Sequence, residues 1–327
     1  MKKLLALVLA WMMVLGCVPA LAEPVELKFA TMAEGTGPYN YAYALKTIIE
    51  AALPEGSSVT LVPDSPGAVD APAQIDAGEC DLIMSNAGPA AWYVAENPES
   101  KVNALFGGLG YDFLNIMMTK EFSDAHGVTT LEEMVEKQLP VRLAVKESGS
   151  LGAEAAEKVL ISLGVTFSDI EAWGGKVIRT GSAGIREAIE KGEADLTIDH
   201  ISAWQENTTA LCENVEMHFV QLETETLDRL CDYGFAPIDI EANMFKWQSQ
   251  GIGTVGSQQV VLVSKDMDVE LAQMITRAVC ENTEKLAAAA AGLERFVAMD
   301  AGLESLCGAP VHAGAAQYYW LQGYVAK

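Results

Sequence analysis

Short continuous apolar runs alternate along this chain with longer stretches whose apolar residues recur every three or four positions. The first pattern predicts buried strands and the second amphipathic helices. Residues 25–30 read as a strand, and Tyr41, Leu45, Ile48, Ile49 and Ala52 then recur at helical spacing until Pro54 and Gly56 stop them. A strand over 59–62, a helix through Ala71, Ile75 and Ala77 stopped by Gly78, and a strand over 81–85 follow. Further along, residues 113–119 form an apolar strand, Thr130 to Glu133 a capping box, and Ala155, Val159, Leu160 and Leu163 a helix ending at Gly164. Residues 260–264 read as a strand and 269–286 as a helix. Alternating strands and helices imply an α/β architecture with largely parallel sheets.

Two segments repeat one plan. Leu27-Lys28-Phe29-Ala30-Thr31 runs into a loop containing Gly35, Thr36 and Gly37, then a helix; Val141-Arg142-Leu143-Ala144-Val145 runs into Glu147-Ser148-Gly149-Ser150, then a helix. Gln74-Ile75-Asp76-Ala77-Gly78-Glu79-Cys80-Asp81-Leu82 likewise parallels Ala188-Ile189-Glu190-Lys191-Gly192-Glu193-Ala194-Asp195-Leu196. The expected molecule is therefore a pseudo-repeated two-lobe clamshell of the periplasmic-binding-protein type (class II) with hinge strands. Residues 23–116 plus 254–327 form lobe 1, and 117–253 form lobe 2. Each strand–loop–helix unit offers unpaired N–H groups at a helix N-terminus, where partial positive charge collects. Two such half-sites can close on one small anion.

The first residues set the compartment. Lys2 and Lys3, an apolar stretch and Ala20-Leu21-Ala22 read as a signal peptide over 1–22, cleaved before Glu23. Cys17, after Gly16, offers lipidation as the alternative. The chain is then exported, to the periplasm or the outer face of the membrane. Hydrophobic residues make up 50 % of the chain, enough for a filled core, and the formal charge is −24. Such a protein repels nucleic acid, and an anionic ligand must be held by local dipoles or a specific cation, since the overall field opposes it. Cys80, Cys212, Cys231, Cys280 and Cys307 show no metal-ligand spacing. Cys212 with Cys231, or Cys280 with Cys307, are the candidate disulfides, against buried thiols.

Other motifs carry less chemistry. The Gly251-Ile252-Gly253-Thr254-Val255-Gly256 match to a dinucleotide fingerprint precedes a strand instead of a helix, so a hinge-adjacent loop is the better reading. Ser148 and Ser150 lack the flanking glycines of a nucleophile elbow, and the four histidines are scattered. No catalytic residue, metal or cofactor is expected. Tyr39, Tyr41 and Tyr43 face different ways on one helix, as wall or core. Ser85 and Asn86 end one strand; Asp199, His200 and Trp204 follow the matching strand, with Asp199 as a possible helix cap.

The Gly-Thr-Gly-Pro-Tyr loop, Ser65-Pro66-Gly67-Ala68-Val69-Asp70, Gly78-Glu79-Cys80-Asp81-Leu82, Glu147-Ser148-Gly149-Ser150 and Pro310-Val311-His312-Ala313-Gly314 follow one another in an order that resembles the TAXI family of solute-binding receptors for TRAP transporters. The resemblance implies a receptor that captures a small, carboxylate-bearing solute, an organic acid or amino-acid-like compound, and hands it to an ion-driven permease. Ala68 and Leu151 replace hydroxyls common in that family, which implies a more apolar ligand. The ligand-binding residues expected are Thr36, Gly37, Tyr39, Ser65, Ser85 and Asn86 from lobe 1, and Ser148, Gly149, Ser150 and Trp204 from lobe 2. The alternatives are an exported enzyme or a ligand-sensing protein on the same fold.

Overall fold

The repeated segments fold alike in the computed structural model, which describes residues 23–65, 67–290, 292–296 and 306–324. The expected signal peptide, its cleavage site and Cys17 lie outside these residues, as does Pro66. In the first lobe β1 (Glu26–Ala30) lies between β2 (Ser58–Val62) and β3 (Leu82–Asn86), parallel to both. In the second, β6 (Arg142–Val145) lies between β7 (Lys176–Arg179) and β8 (Leu196–Ser202) in the same way. Both sequence repeats stop their helix with a left-handed glycine, Gly78 at φ 69° and Gly192 at φ 67°, which glycine adopts without a Cβ clash. The aspartate three residues on then does the same work twice. Asp81 accepts from the Lys28 N–H at 2.8 Å, and Asp195 from the Arg142 N–H at 3.0 Å. Each pins the start of the third strand to the first.

Each sheet is completed by one strand antiparallel to these three and, outside it, one parallel to them. The first sheet has the order β2-β1-β3-β12-β4, with β4 (Val102–Leu109) and β12 (Gln259–Ser264). The second has the order β7-β6-β8-β5-β9, with β5 (Asp112–Thr119) and β9 (Met217–Phe219). A ribbon of β10 (Ala236–Ile240) and β11 (Ile252–Gly256) precedes the return strand. The chain thus passes between sheets at Gly110–Tyr111 and again at Ser257–Gln258. The sequence had put these boundaries at 116/117 and 253/254; β5 lies in the second sheet along its whole length.

Helix Gly37–Ala52 buries Tyr41, Ala42, Leu45, Ile48 and Ile49 on the first sheet, and helix Leu151–Ser162 buries Ala155, Ala156, Val159 and Leu160 on the second. The two sheets have separate apolar clusters, the largest around Phe29, Leu45, Leu82 and Val261 on the first and around Leu143, Val159, Leu196 and Ile198 on the second.

Three details differ from expectation. The 269–286 helix is two, Val269–Cys280 and Thr283–Ala289; the Asn282 side chain donates to the Ala278 carbonyl at 2.8 Å, competing with the backbone ladder where the first helix ends. The glycine-rich 251–256 segment is mostly strand β11. A Cβ on Gly256 would stand 2.2 Å from the Asp112 carbonyl, so close approach of the hinge strands excludes a side chain there. Neither candidate disulfide forms: all five described cysteines are thiols. Burial pushes Cys212, whose sulfur lies 4.0 Å from Met117 Sδ, up to about 12.

Candidate functional site

Strand register decides which loops can meet. Asn86 and Leu109, the last residues of β3 and β4, both pair with Gln259, and Ser202 at the end of β8 pairs with Asp112. The C-terminal ends of β1, β2, β3 and of β6, β7, β8 therefore all border the two crossings. Parallel sheets present ligand-binding groups at these ends. The loops that carry Thr36, Ser65 and Asn86 and those that carry Ser148–Ser150 and Trp204 lie there.

The predicted residues do different jobs. Thr36 caps helix Gly37–Ala52, accepting from the Tyr39 N–H at 3.4 Å and donating to the Ala33 carbonyl at 2.7 Å. Tyr39 donates its phenol to Glu34 Oε1 at 3.2 Å, while Tyr41 is buried and Tyr43 is 59 % exposed. Ser65 donates to Gln74 Oε1 at 3.1 Å. Ser150 caps helix Leu151–Ser162, accepting from the Ala153 N–H at 3.2 Å, and Gly149 turns the preceding loop at φ 83°. Trp204 is 57 % exposed, held at φ 57° with its ring edge-on to Tyr111 at 6.2 Å. Ser85 and Asn86 are buried instead. Ser85 donates to the Ala68 carbonyl at 2.9 Å, and Asn86 donates to the Ser257 carbonyl at the return crossing.

Asn86 thus belongs to a hinge network. Ser257 Oγ accepts from the Gly88 N–H at 2.8 Å, and the Ser257 N–H donates to His200 Nε2 at 3.0 Å. That acceptance places the imidazole proton on Nδ1. Burial pulls His200 down to about 4, so it stays neutral. Gln259 Nε2 donates to Asp112 Oδ2 at 3.0 Å, and Gln258 Nε2 to the Asp112 carbonyl at 2.6 Å, tying the two crossings together.

The residue that sequence reasoning missed is Lys146. It directly follows β6, and its ammonium donates to Ser182 Oγ at 2.6 Å and lies 3.4 Å from Asp199 Oδ2. Asp199 is no helix cap; it sits inside β8, 5 % exposed. Burial pushes its carboxyl up to about 6 against the pull of Lys146. Gly152, in the first turn of helix Leu151–Ser162, makes room for the pair: a Cβ there would stand 2.1 Å from Asp199 Oδ1 and 2.6 Å from Lys146 Cγ. The second half-site therefore holds a cation beside its capped helix start. In the first, the nearby charge is Glu34. Among the described residues no group of three or more His, Cys, Asp or Glu is placed to hold a metal. A cavity of about 680 Å³ opens at the far end of the second sheet, beside Arg142, Asp195 and Thr119, and touches none of the predicted residues.

Residues 29–323 match the model of the NMT1-like family. The chain belongs to the NMT1-like family. Its fold is the two-lobe type of the periplasmic sulfonate-binding protein SsuA from Methylobacillus flagellatus KT, with a TM-score of 0.53 at 13 % identity over 92 % of this chain and 88 % of that one. The structure of XAC2383 from Xanthomonas citri bound to ATP is similar at a TM-score of 0.53 and 12 % identity, over 92 % and 99 %. At such identities the likeness is one of fold. No curated protein matches the sequence. Among the described residues of this NMT1-like chain, no helix is long and apolar enough to cross a membrane.

Proposed function

We propose that this NMT1-like chain is an exported, extracytoplasmic solute-binding receptor. It captures a small carboxylate-bearing solute by lobe closure and delivers it to a membrane permease of the TRAP type. The observation that carries this reading is the Lys146 ammonium beside a hydroxyl-capped helix start, on a chain whose net charge is −24. A protein that repels anions as a whole needs a local cation to hold one. The described residues of 23–110 and 258–324 are the first rotating body and 112–256 the second, turning about the crossings. Gly37, Thr36, Tyr39 and Ser65 serve the first lobe; Lys146, Ser148, Gly149, Ser150 and Trp204 serve the second. Ser85 and Asn86 hold loop and hinge. The TAXI-like order of motifs supports the TRAP assignment, and the leader-like residues 1–22 support export.

Native mass spectrometry of the purified protein, then calorimetry against mono- and dicarboxylates and amino acids, tests the reading. One anionic solute bound per chain, released by Lys146→Met, is the expected result. Binding only of neutral solutes, or turnover of the bound compound, contradicts it. Uptake into vesicles carrying the permease, driven by an ion gradient without ATP, separates TRAP delivery from an ATP-driven system.

A further inference from the structure

Beneath the Lys146–Asp199 pair lies a small chamber that the capture mechanism does not use. Asn115 on β5 pairs with Asp199 on β8, and Met117 with Thr197, so these four side chains share one face of the second sheet. Helices Ser182–Glu190 and Glu206–Asn214 cover that face around a partly open cavity of about 10 Å³, whose lining sets Asn115, Thr197, Asp199 and Arg186 beside the apolar Ile185 and Leu211. Asn115 and Thr197 are each 2 % exposed. Four buried atoms of the lining residues make no hydrogen bond to the protein: Asn115 Oδ1, Asp199 Oδ1, Thr197 Oγ1 and Arg186 Nε. The nearest ion-pair partner of that Nε, Glu190 Oε1, stands 3.8 Å away, beyond hydrogen-bond range.

Leaving a buried polar group unsatisfied costs about 1–3 kcal/mol, so four on residues that line one cavity call for a common occupant. The chemistry selects it. Asn115 and Asp199 present acceptors, which turn away an anion. Arg186 Nε–H is a fixed donor bearing positive charge, which turns away a metal cation. Two acceptors and two donors, with the Thr197 hydroxyl free to rotate, match a molecule that donates twice and accepts twice. A water needs at least roughly 10–15 Å³, so a cavity of this size takes one at most.

We propose that this chamber is a specific site for a single structural water that joins Arg186 to Asp199 and so completes the support beneath Lys146. The water donates to Asn115 Oδ1 and Asp199 Oδ1 and accepts from Thr197 Oγ1 and Arg186 Nε. Asp199 is then shared between two cations, Lys146 directly and Arg186 through the water.

Three readouts test this on the full mature chain without any solute, so their failure is distinct from failure of the receptor reading. A high-resolution crystal structure should show one water within hydrogen-bond distance of at least three of the four atoms; direct pairing of those groups, or a metal ion there, overturns the proposal. Thr197→Val should lower the melting temperature by several degrees while Thr197→Ser retains it. An unchanged or higher value for the valine variant overturns the proposal, because losing an unsatisfied hydroxyl is neutral or stabilising. In Thr197→Val the Asp199 carboxyl carbon, followed by NMR, should titrate at higher pH than in the parent. An unmoved midpoint overturns the link to Asp199.

Discussion

At the first half-site Thr36 caps helix Gly37–Ala52 beside Glu34 and Tyr39, and a Cβ on Gly37 would approach nothing nearer than the Tyr41 ring at 3.9 Å. At the second, Ser150 caps helix Leu151–Ser162 beside Lys146 and Asp199, and Gly152 is packed hard against both. The backbone plan is shared, down to the paired aspartates Asp81 and Asp195. Charge and packing are not shared. A duplicated scaffold supplies two helix starts, but only the second combines a half-buried ammonium with a dipole. On the proposed receptor reading, binding energy should therefore be lopsided, with the second lobe gripping the anion and the first closing over it.

The largest expected effect breaks that asymmetry outright. Lys146→Met should weaken carboxylate binding roughly 100-fold by calorimetry and cost about 3 kcal/mol of stability in denaturant, because Asp199 is left buried without its cation. Thr36→Val at the first site should stay within about tenfold in affinity; equal losses would erase the distinction. Next comes pH. The folded chain keeps Asp199 protonated up to about pH 6, whereas its ordinary value is 3.8. Between these values the folded state binds more protons, so stability falls as pH rises through the window, by roughly 1.4 kcal/mol per unit. His200 works in the opposite sense. Its folded value is about 4 against an ordinary 6.5, so it contributes full stability above pH 6.5 and loses it as pH falls toward 4. The two slopes oppose each other between pH 4 and 6. Asp199→Asn should expose the His200 slope, making the variant's stability drop more steeply on acidification than the parent's in urea unfolding curves.

Smaller changes sharpen the packing contrast. Gly152→Ala should cost about 1–3 kcal/mol by displacing Lys146 and Asp199, and Gly37→Ala, in open space, about 0.5 kcal/mol or less in either direction. Loss of a capping hydroxyl in Ser150→Ala should cost about 1 kcal/mol.

The repeat was legible because it is written locally. Helix periodicity, the glycine stops at Gly78 and Gly192 and the following aspartates are short-range features, and they place three strands of each sheet. The crossings were displaced because β4 and β5 are nearly one apolar stretch, and its glycines Gly107, Gly108 and Gly110 fall both inside β4 and at the crossing, so composition does not mark where the chain leaves the first sheet. The cation of the second half-site was hidden for a different reason. Lys146, Ser182 and Asp199 come from three segments that meet only through the parallel pairing of β6 with β7 and β8, and none carries a motif of its own. Asp199 looked like a cap since it stands before a helix in sequence; β8 runs on to Ser202 and buries it. Asn86 was legible as a strand-end polar group, but its bond to Ser257 depends on the return strand arriving 171 residues later.

Solution X-ray scattering from the mature protein, titrated with the carboxylate that binds it tightest in calorimetry, tests the proposed two-lobe grip most directly. The account predicts a fall in radius of gyration that saturates at one solute per chain and is absent in Lys146→Met at the same solute concentration. A radius unchanged at saturation, or an equal compaction in the variant, contradicts it.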